Sequence, residues 1–538
     1  MLNAKLNVWI KRTIYLTAGF VILLVFLIRG CDTVETPKLT AEDRKKDIQY
    51  LADWARDYSP FVELAQKQMG IPDYKELLPK YLEYAAQARS NEEFYYVVSA
   101  YKNLICPAGH DTLLDETFLK LIWIGALLGK DPLDLGAASI RKGIYWPKLV
   151  YGRLPTYAHA PFGIRYKDNK YLLDDNWEAD GLKVPRGSQI IKVNGMSSSA
   201  YLDYIKENTW LRYNTYPSDW EELLLIGDEG EDFKGWQVDF LLPDNSTHSA
   251  FVPKIKGFPT PKVKWKGIDA KERVTCIELK DDVAYIRVKN MYGNTLGYFF
   301  PSLPEKDGKI IKAFFDNANG KYKRLIIDIR ENRGGMPYYW VENLLRPFLD
   351  KSVTYSQVAG IKRKYRDILP DSILKLSKMI GEKNEDHSLS TEEIDSPEGF
   401  DNNDWVFYRV KNRIEPYEPQ RRYNFHGSIY VLVDGRTFSA GDGFANAVKR
   451  IGFAKLVGQN TGGGCYAYLV SPVLRLPASN MIFRAETELV INPDGSINEL
   501  FGTPPDIILE PADLPKSITK DDLLQDEWVK WVIADSQD

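Results

Sequence analysis

Two periods of apolar residues alternate along the chain, and the changeovers between them divide it. From Ala41 to about Leu128 apolar residues recur at helical spacing, as in Ile48, Leu51, Ala52 and Ala55, and again in Phe94, Val97, Val98, Tyr101 and Leu104. This predicts an all-helical unit. Its last motif-bearing helix runs into Cys106-Pro107-Ala108-Gly109-His110-Asp111-Thr112, where proline and glycine stop the helix and leave His110 on a turn. From about Tyr151 to Lys256 short strand patterns take over, among them Phe162 to Tyr166 and Arg186 to Met196, followed by a helix over 197–208. Beyond a linker holding Phe258-Pro259-Thr260-Pro261, the run from Val283 to Val288 alternates, an amphipathic helix covers about Ile310 to Asn319, and Leu325 to Ile329 reads as a strand. A stretch with a charged middle then intervenes, GEKNEDHSLSTEEIDSPEGFDNND, and predicts a mobile loop or lid. After it comes the apolar run Ile429 to Val433, broken by Asp434-Gly435, and a helix with Phe444, Ala447, Val448 and Ile451 on one face. A short amphipathic helix with Trp528, Trp531 and Val532 ends the chain.

The units predicted are an N-terminal segment at 1–31, a helical domain at 41–150, a β-rich domain at 151–256, a core in two parts at 262–350 and 425–512 around the insertion 351–424, and a C-terminal helix at 513–538. Two strand-to-turn junctions in the core carry candidate chemistry. Ser439 follows the Asp434-Gly435 break at the mouth of a helix, where unpaired backbone N–H groups and the positive end of the helix dipole favour an oxyanion. A serine in that position is most often an N-cap. The second junction, Asp328-Ile329-Arg330-Glu331-Asn332-Arg333-Gly334-Gly335, ends an apolar strand in adjacent glycines that allow close backbone approach to a ligand. Two such loops can face one reacting carbonyl.

These segments resemble the tricorn-core and C-terminal-processing serine peptidases. DIRENRGG at 328–335, TFSAGD at 437–442, NTGGG at 460–464 and ELFGTPPD at 499–506 match the motifs of that family in order. The resemblance implies an α/β fold with a crotonase-like ββα peptidase core, a helical N-terminal domain and a PDZ-like β-rich domain. Arg186 to Met196 resembles a PDZ segment, with Ser188 where Asp is usual, and implies strand addition of an extended peptide. The function implied is peptide hydrolysis through an acyl-enzyme on Ser439, with the backbone N–H of Ala440 and that of Gly334 or Gly335 as oxyanion donors. In the C-terminal-processing branch a lysine in the T-x-G-K-G loop is the base, but Gly464 stands there. The chain therefore resembles the tricorn branch, which implies His110 as the general base and Glu499 as the carboxylate orienting it or its hydrogen-bonded chain. Asp111 is an addition to the usual G-H-T turn.

The rest of the sequence narrows the alternatives. A formal net charge of −4, without an arginine-rich run, gives no footprint for nucleic acid, and the NTGGG loop lacks the lysine and hydroxyl of a phosphate loop. No cofactor or metal is expected. Lys5, Lys11 and Arg12 precede a mainly apolar run from Ile14 to Ile28, and the I-R-G-C ending resembles a lipobox with Cys31 as the lipidated residue. An uncleaved single-span anchor is the other reading. Either puts the body of the protein outside the cytoplasm, in a bacterial envelope, acting on peptides or proteins. Cys106, Cys276 and Cys465 lack metal-site spacing, and their default is as buried thiols, with a redox pair between Cys106 and Cys465 the exception. Of the other histidines, His248 and His387 look solvated, while His159 and His426 are more often structural. A non-catalytic ligand-binding lipoprotein on the same fold remains the alternative function, and an aromatic-rich glycan-binding lipoprotein a third.

Overall fold

The computed structural model describes residues 34–535, apart from 70–71, 106–109, 111–112, 128, 130, 132–133, 154–157, 168–169, 174–175, 180, 209–212, 214–224, 228–232, 257–272, 281, 292–304, 370–386, 466, 468–472, 511, 513 and 516. The apolar run at 14–28 and Cys31 lie outside these residues. Among the described residues no helix is long and apolar enough to cross a membrane.

The helical unit comprises α1 (Ala41–Tyr58), α2 (Val62–Met69), α3 (Tyr74–Gln87), α4 (Asn91–Ile105), α5 (Glu116–Leu127), α6 (Ala137–Gly143) and α7 (Tyr145–Arg153). A capping box starts α1: the Thr40 hydroxyl accepts the Asp43 N–H, and Asp43 accepts the Thr40 N–H. Its stripe of Ile48, Leu51, Ala52 and Ala55 packs with Phe94, Val97, Val98 and Tyr101 of α4 in one core. Leu474, Leu476, Met481 and Phe483, from the far end of the chain, belong to that same core. The helical unit is thus completed by a distant hairpin.

The β-rich module is an antiparallel sheet in which β1 (Ile164–Lys167), β2 (Lys170–Leu173), β3 (Gln189–Val193), β4 (Gly235–Leu241) and β5 (Thr247–Pro253) lie side by side in chain order, with α8 (Ser198–Asn208) against β3. Ile190, Val193, Trp236, Val238 and Phe240 fill its core.

The central core is a six-stranded sheet in the order β6 (Val274–Lys280), β7 (Val283–Val288), β8 (Arg324–Asp328), β12 (Ser428–Val433), β13 (Lys455–Gly458) and β17 (Ile507–Ile508). The first pair is antiparallel and the rest parallel. Parallel strands are covered on both faces, which explains the apolar run in β8. On one face lie α9 (Glu305–Ala318), through Ile311 and Phe315, and α10 (Ala440–Ile451), through Phe444, Ala447 and Val448. On the other lies α11 (Glu527–Ala534), where Trp528, Val529 and Val532 cover Tyr285, Ile326, Tyr430 and Leu432. Complete burial of each valine contributes about 1.5–3 kcal/mol.

Two expectations change here. The alternating run in β7 is buried at all six positions, because its polar residues Tyr285 and Arg287 turn inward to Asp328, with a 2.7 Å hydroxyl bond and a 3.1 Å ion pair. The insertion at 351–424, expected as a mobile lid, is largely a sheet. Its β9 (Val353–Lys362), β10 (His387–Ile394) and β11 (Trp405–Ile414) pair antiparallel and join β16 (Glu488–Ile491), in the order β10-β11-β9-β16. The charged middle falls partly on 370–386, outside the described residues, and otherwise on β10 and the turn before β11.

Candidate active site

The strand β12 ends at Val433, and the chain turns through 434–438 before α10 begins. That turn is bolted to the end of β8. The Thr437 hydroxyl lies 3.0 Å from both the Ile329 carbonyl and Asp434 Oδ1, the Glu331 N–H donates to Asp434, and the Phe438 N–H donates to the Asn332 carbonyl. On the other side the Ser439 N–H donates to the Gly463 carbonyl, so the NTGGG loop forms the third wall. Held from three directions, Ser439 has φ 58° and ψ −123°. A side chain in this region costs about 1–3 kcal/mol, and such strain persists only where the surroundings impose it. Ser439 makes no capping hydrogen bond. Its hydroxyl instead lies 2.7 Å from His110 Nε2.

His110 is positioned by pairing across 376 residues. Leu113 bridges Phe483 in antiparallel register, and the Leu114 N–H donates to the Ile482 carbonyl. His110 and Glu486 meet just beyond that bridge. His110 Nδ1 lies 2.8 Å from Glu486 Oε1, which also faces the His110 N–H at 3.4 Å. The ring tilts against Phe438, with centroids 4.7 Å apart. Both carboxylate and imidazole are nearly sealed from solvent, so their attraction is little screened.

The carboxylate against the imidazole is therefore Glu486; Glu499, expected from the ELFGTPPD motif to orient the histidine or its hydrogen-bonded chain, does not take the first of those places. Glu499 sits behind it, buried, with Oε2 accepting the Val490 N–H at 2.9 Å. Burial first, and then the negative field of Glu486, pushes the Glu499 carboxyl well above the usual range. That direction favours the protonated form of Glu499. The sequence does contain a signal for Glu486: the stretch 481–491, MIFRAETELVI, places two glutamates inside an apolar strand pattern.

Of the oxyanion donors, Gly334 drops out, because its N–H is already given to Asn332 Oδ1 at 2.9 Å. Its role is steric. A Cβ on Gly334 would lie 2.5 Å from Ser439 Cβ and 2.7 Å from the Ala440 nitrogen, and φ is 88°. The N–H groups of Ala440 and Gly335 have no acceptor among the described residues, and Ala440 directly follows Ser439. They are the two donors left for a developing oxyanion.

The missing lysine also has a geometric explanation. A Cβ on Gly464 would lie 3.1 Å from His110 Cε1 and 2.9 Å from the Phe438 ring, so the imidazole fills the space where a side chain would begin. Lys449 is engaged by the Pro504 carbonyl and Asp506, and Lys455 by Asp535. Among the other histidines, His248 and His426 are exposed. Cys465 is fully buried and its thiol is pushed well up by burial, which keeps it protonated; Cys106 lies outside the described residues. The loop itself is tied by Thr461, whose hydroxyl donates to buried Asp442 and accepts the Thr503 N–H. Among the described residues no cluster of three histidine, cysteine or carboxylate side chains is arranged to hold a metal.

Comparison with known proteins bears on the same region. A model of peptidase family S41 matches residues 282–509. No curated protein matches the chain. Among solved structures, mature CPAF in complex with lactacystin superposes with a TM-score of 0.52 at 14% identity, over 91% of this chain and 97% of that one. The photosystem II D1 C-terminal processing protease gives 0.40 at 15% identity, over 88% and 95%. At these identities the first likeness shows a shared fold.

Proposed function

Since the chain carries a peptidase family S41 domain and is a serine-type peptidase, we propose that it cleaves peptides or proteins through an acyl-enzyme on Ser439, with His110 as general base and Glu486 as the residue that orients it. The observation that carries this reading is the unbroken line from Glu486 Oε1 to His110 Nδ1 at 2.8 Å and from His110 Nε2 to Ser439 Oγ at 2.7 Å. With its Nδ1–H donated to the carboxylate, the imidazole presents a lone pair at Nε2 to the serine hydroxyl. Ser439 Oγ attacks the scissile carbonyl as its proton passes to Nε2, and Glu486 stabilises the imidazolium. The carbonyl oxygen gathers charge toward the Ala440 and Gly335 N–H groups. The imidazolium then gives its proton to the leaving amine, and water, activated by the same nitrogen, releases the acid.

Two outer features complete the proposal. The strand β1 ends the β-rich sheet among the described residues, an edge at which an extended substrate can add by backbone pairing in the manner of a PDZ domain. Residues 1–31 anchor the enzyme to a membrane outside the cytoplasm, by lipid on Cys31 or by a single span.

The test is labelling of the purified ectodomain with a fluorophosphonate, read by intact mass. Wild type takes one adduct, and Ser439→Ala and His110→Ala take none. A folded wild type that stays unlabelled would favour the non-catalytic binding protein. The two glutamates separate by variant. Glu486→Gln removes the charge that stabilises the imidazolium, and kcat falls roughly 1,000- to 10,000-fold. Glu499→Gln lowers kcat less, since the residue acts on Glu486 and not on the ring. It also changes stability with a definite sign. A carboxyl whose folded pKa is raised binds its proton more tightly in the native state, so stability falls as pH rises from the unfolded value of about 4.3 toward the folded one. Glutamine removes that loss, and the thermal midpoint of Glu499→Gln should exceed wild type at pH 8 and converge with it near pH 4. Equal activity losses for the two variants would contradict the assignment.

A further inference from the structure

The hairpin of β14 (Val473–Arg475) and β15 (Ile482–Arg484) leads directly into Glu486. Its tip is gripped by the helical unit. Asp47, fully buried in the middle of α1, accepts the Ala478 N–H on one oxygen at 2.8 Å and the Ser479 N–H on the other at 2.9 Å. The Trp146 indole donates to the Ser479 carbonyl at 2.8 Å. Gly143 leaves so little room that a Cβ there would lie 2.6 Å from the Ile482 side chain and 2.9 Å from the Asn480 carbonyl. Within the tip the Leu476 N–H donates to the Met481 carbonyl, the Met481 N–H to Ser479 Oγ, and Asn480 sits at φ 57°.

A carboxylate with no exposure is an expensive way to hold a turn, since burial opposes its charge. An apolar residue would fill α1 at less cost. What Asp47 supplies is position: a bidentate grip on two successive backbone N–H groups fixes the hairpin along its own axis as well as against the helices. That axis ends at Glu486, which must meet an imidazole within tenths of an ångström. We propose that Asp47 is a positioning residue for the reaction, setting the Glu486–His110 contact through the hairpin of 473–484. The inference rests on the reading of His110 as base oriented by Glu486.

The test is a double-mutant cycle on the ectodomain. Asp47→Ala should lower kcat by about 10- to 100-fold, the effect of a displacement near 1 Å on a reacting group, with KM unchanged. In a Glu486→Gln background the same substitution should lower kcat by less than 2-fold, because there is no longer a carboxylate to place. Asp47→Asn, which keeps one acceptor and the side-chain shape, should recover part of the loss. If Asp47→Ala does not fold, Asp47→Asn and Trp146→Phe, which deletes only the indole donor, are run through the same cycle. Full additivity with Glu486→Gln, or an unchanged kcat in the folded variants, overturns the proposal while leaving the base assignment intact. If Glu486→Gln itself leaves labelling and kcat untouched, the base assignment fails and this inference falls with it.

Discussion

Ser439→Ala should lower kcat by roughly a million-fold, the scale seen when a serine nucleophile is removed from a histidine-activated site. The residual rate would come from the oxyanion donors and substrate binding. The backbone at Ser439 makes the accompanying stability change informative. Alanine inherits φ 58° and ψ −123° and so keeps the strain, whereas glycine relieves it. Ser439→Gly should thus be equally inactive yet more stable than Ser439→Ala by about 1 kcal/mol, read as a difference in urea midpoint at a common m-value. An alanine variant as stable as the glycine one would mean that this turn is not strained, and the case for an imposed nucleophile geometry would weaken.

Asp328→Ala should be the most destabilising single change in the core, by about 3–5 kcal/mol. The carboxylate has no exposure and receives Arg330 through Nε at 3.1 Å and Nη2 at 2.7 Å, Arg287 at 3.1 Å and the Tyr285 hydroxyl at 2.7 Å. Its removal leaves two buried guanidinium groups, of which Arg330 keeps, among the described residues, Asp526 at 2.8 Å and the face of Trp528. Burial pushes the Asp328 carboxyl up, but Arg330 and Arg287 outweigh it and hold it at about 2. The sign of the pH effect follows. A depressed folded pKa contributes stability that is fully present above the unfolded value of about 3.9 and is lost as pH falls toward the folded one. Wild type should lose stability between about pH 4 and pH 2, measured as the urea midpoint, and Asp328→Asn should show a flatter acid limb. Because Arg330 begins the turn that carries Gly335, the same variant should lose activity even where it remains folded.

Much of this was legible in the residues, and what was not has physical causes. Strand-to-turn junctions are local, so DIRENRGG and TFSAGD could be placed on their turns from glycine, apolar runs and order alone. His110 was marked by Pro107 and Gly109 before it. Glu486 was not, because its place depends on the pairing of Leu113 and Leu114 with Phe483 and Ile482, which no local period reports. The motif residue Glu499 drew attention to the right neighbourhood, but it lies one carboxylate too far back. Gly334 looked like a donor until Asn332 was seen to occupy its N–H. The insertion misled through its charge: its flanks, VTYSQVAGIK and WVFYRVKNRI, do alternate, and become the strands of a sheet once β16 supplies the next edge.

The pairing of Leu113 and Leu114 with Phe483 and Ile482 also bears on when the proposed site is assembled. A chain growing from its N-terminus presents His110 first, Ser439 later and Glu486, which contacts His110, last. On the proposed mechanism, a fragment ending short of Glu486 would lack the residue that orients His110. Closing a loop of this length is slow and comes late in folding. On refolding from urea, fluorophosphonate reactivity should therefore return after the burial of tryptophan in the helical unit; simultaneous recovery would show that the two ends meet early. The distance along the chain between His110 and Glu486 would thus set the order in which the proposed site is assembled.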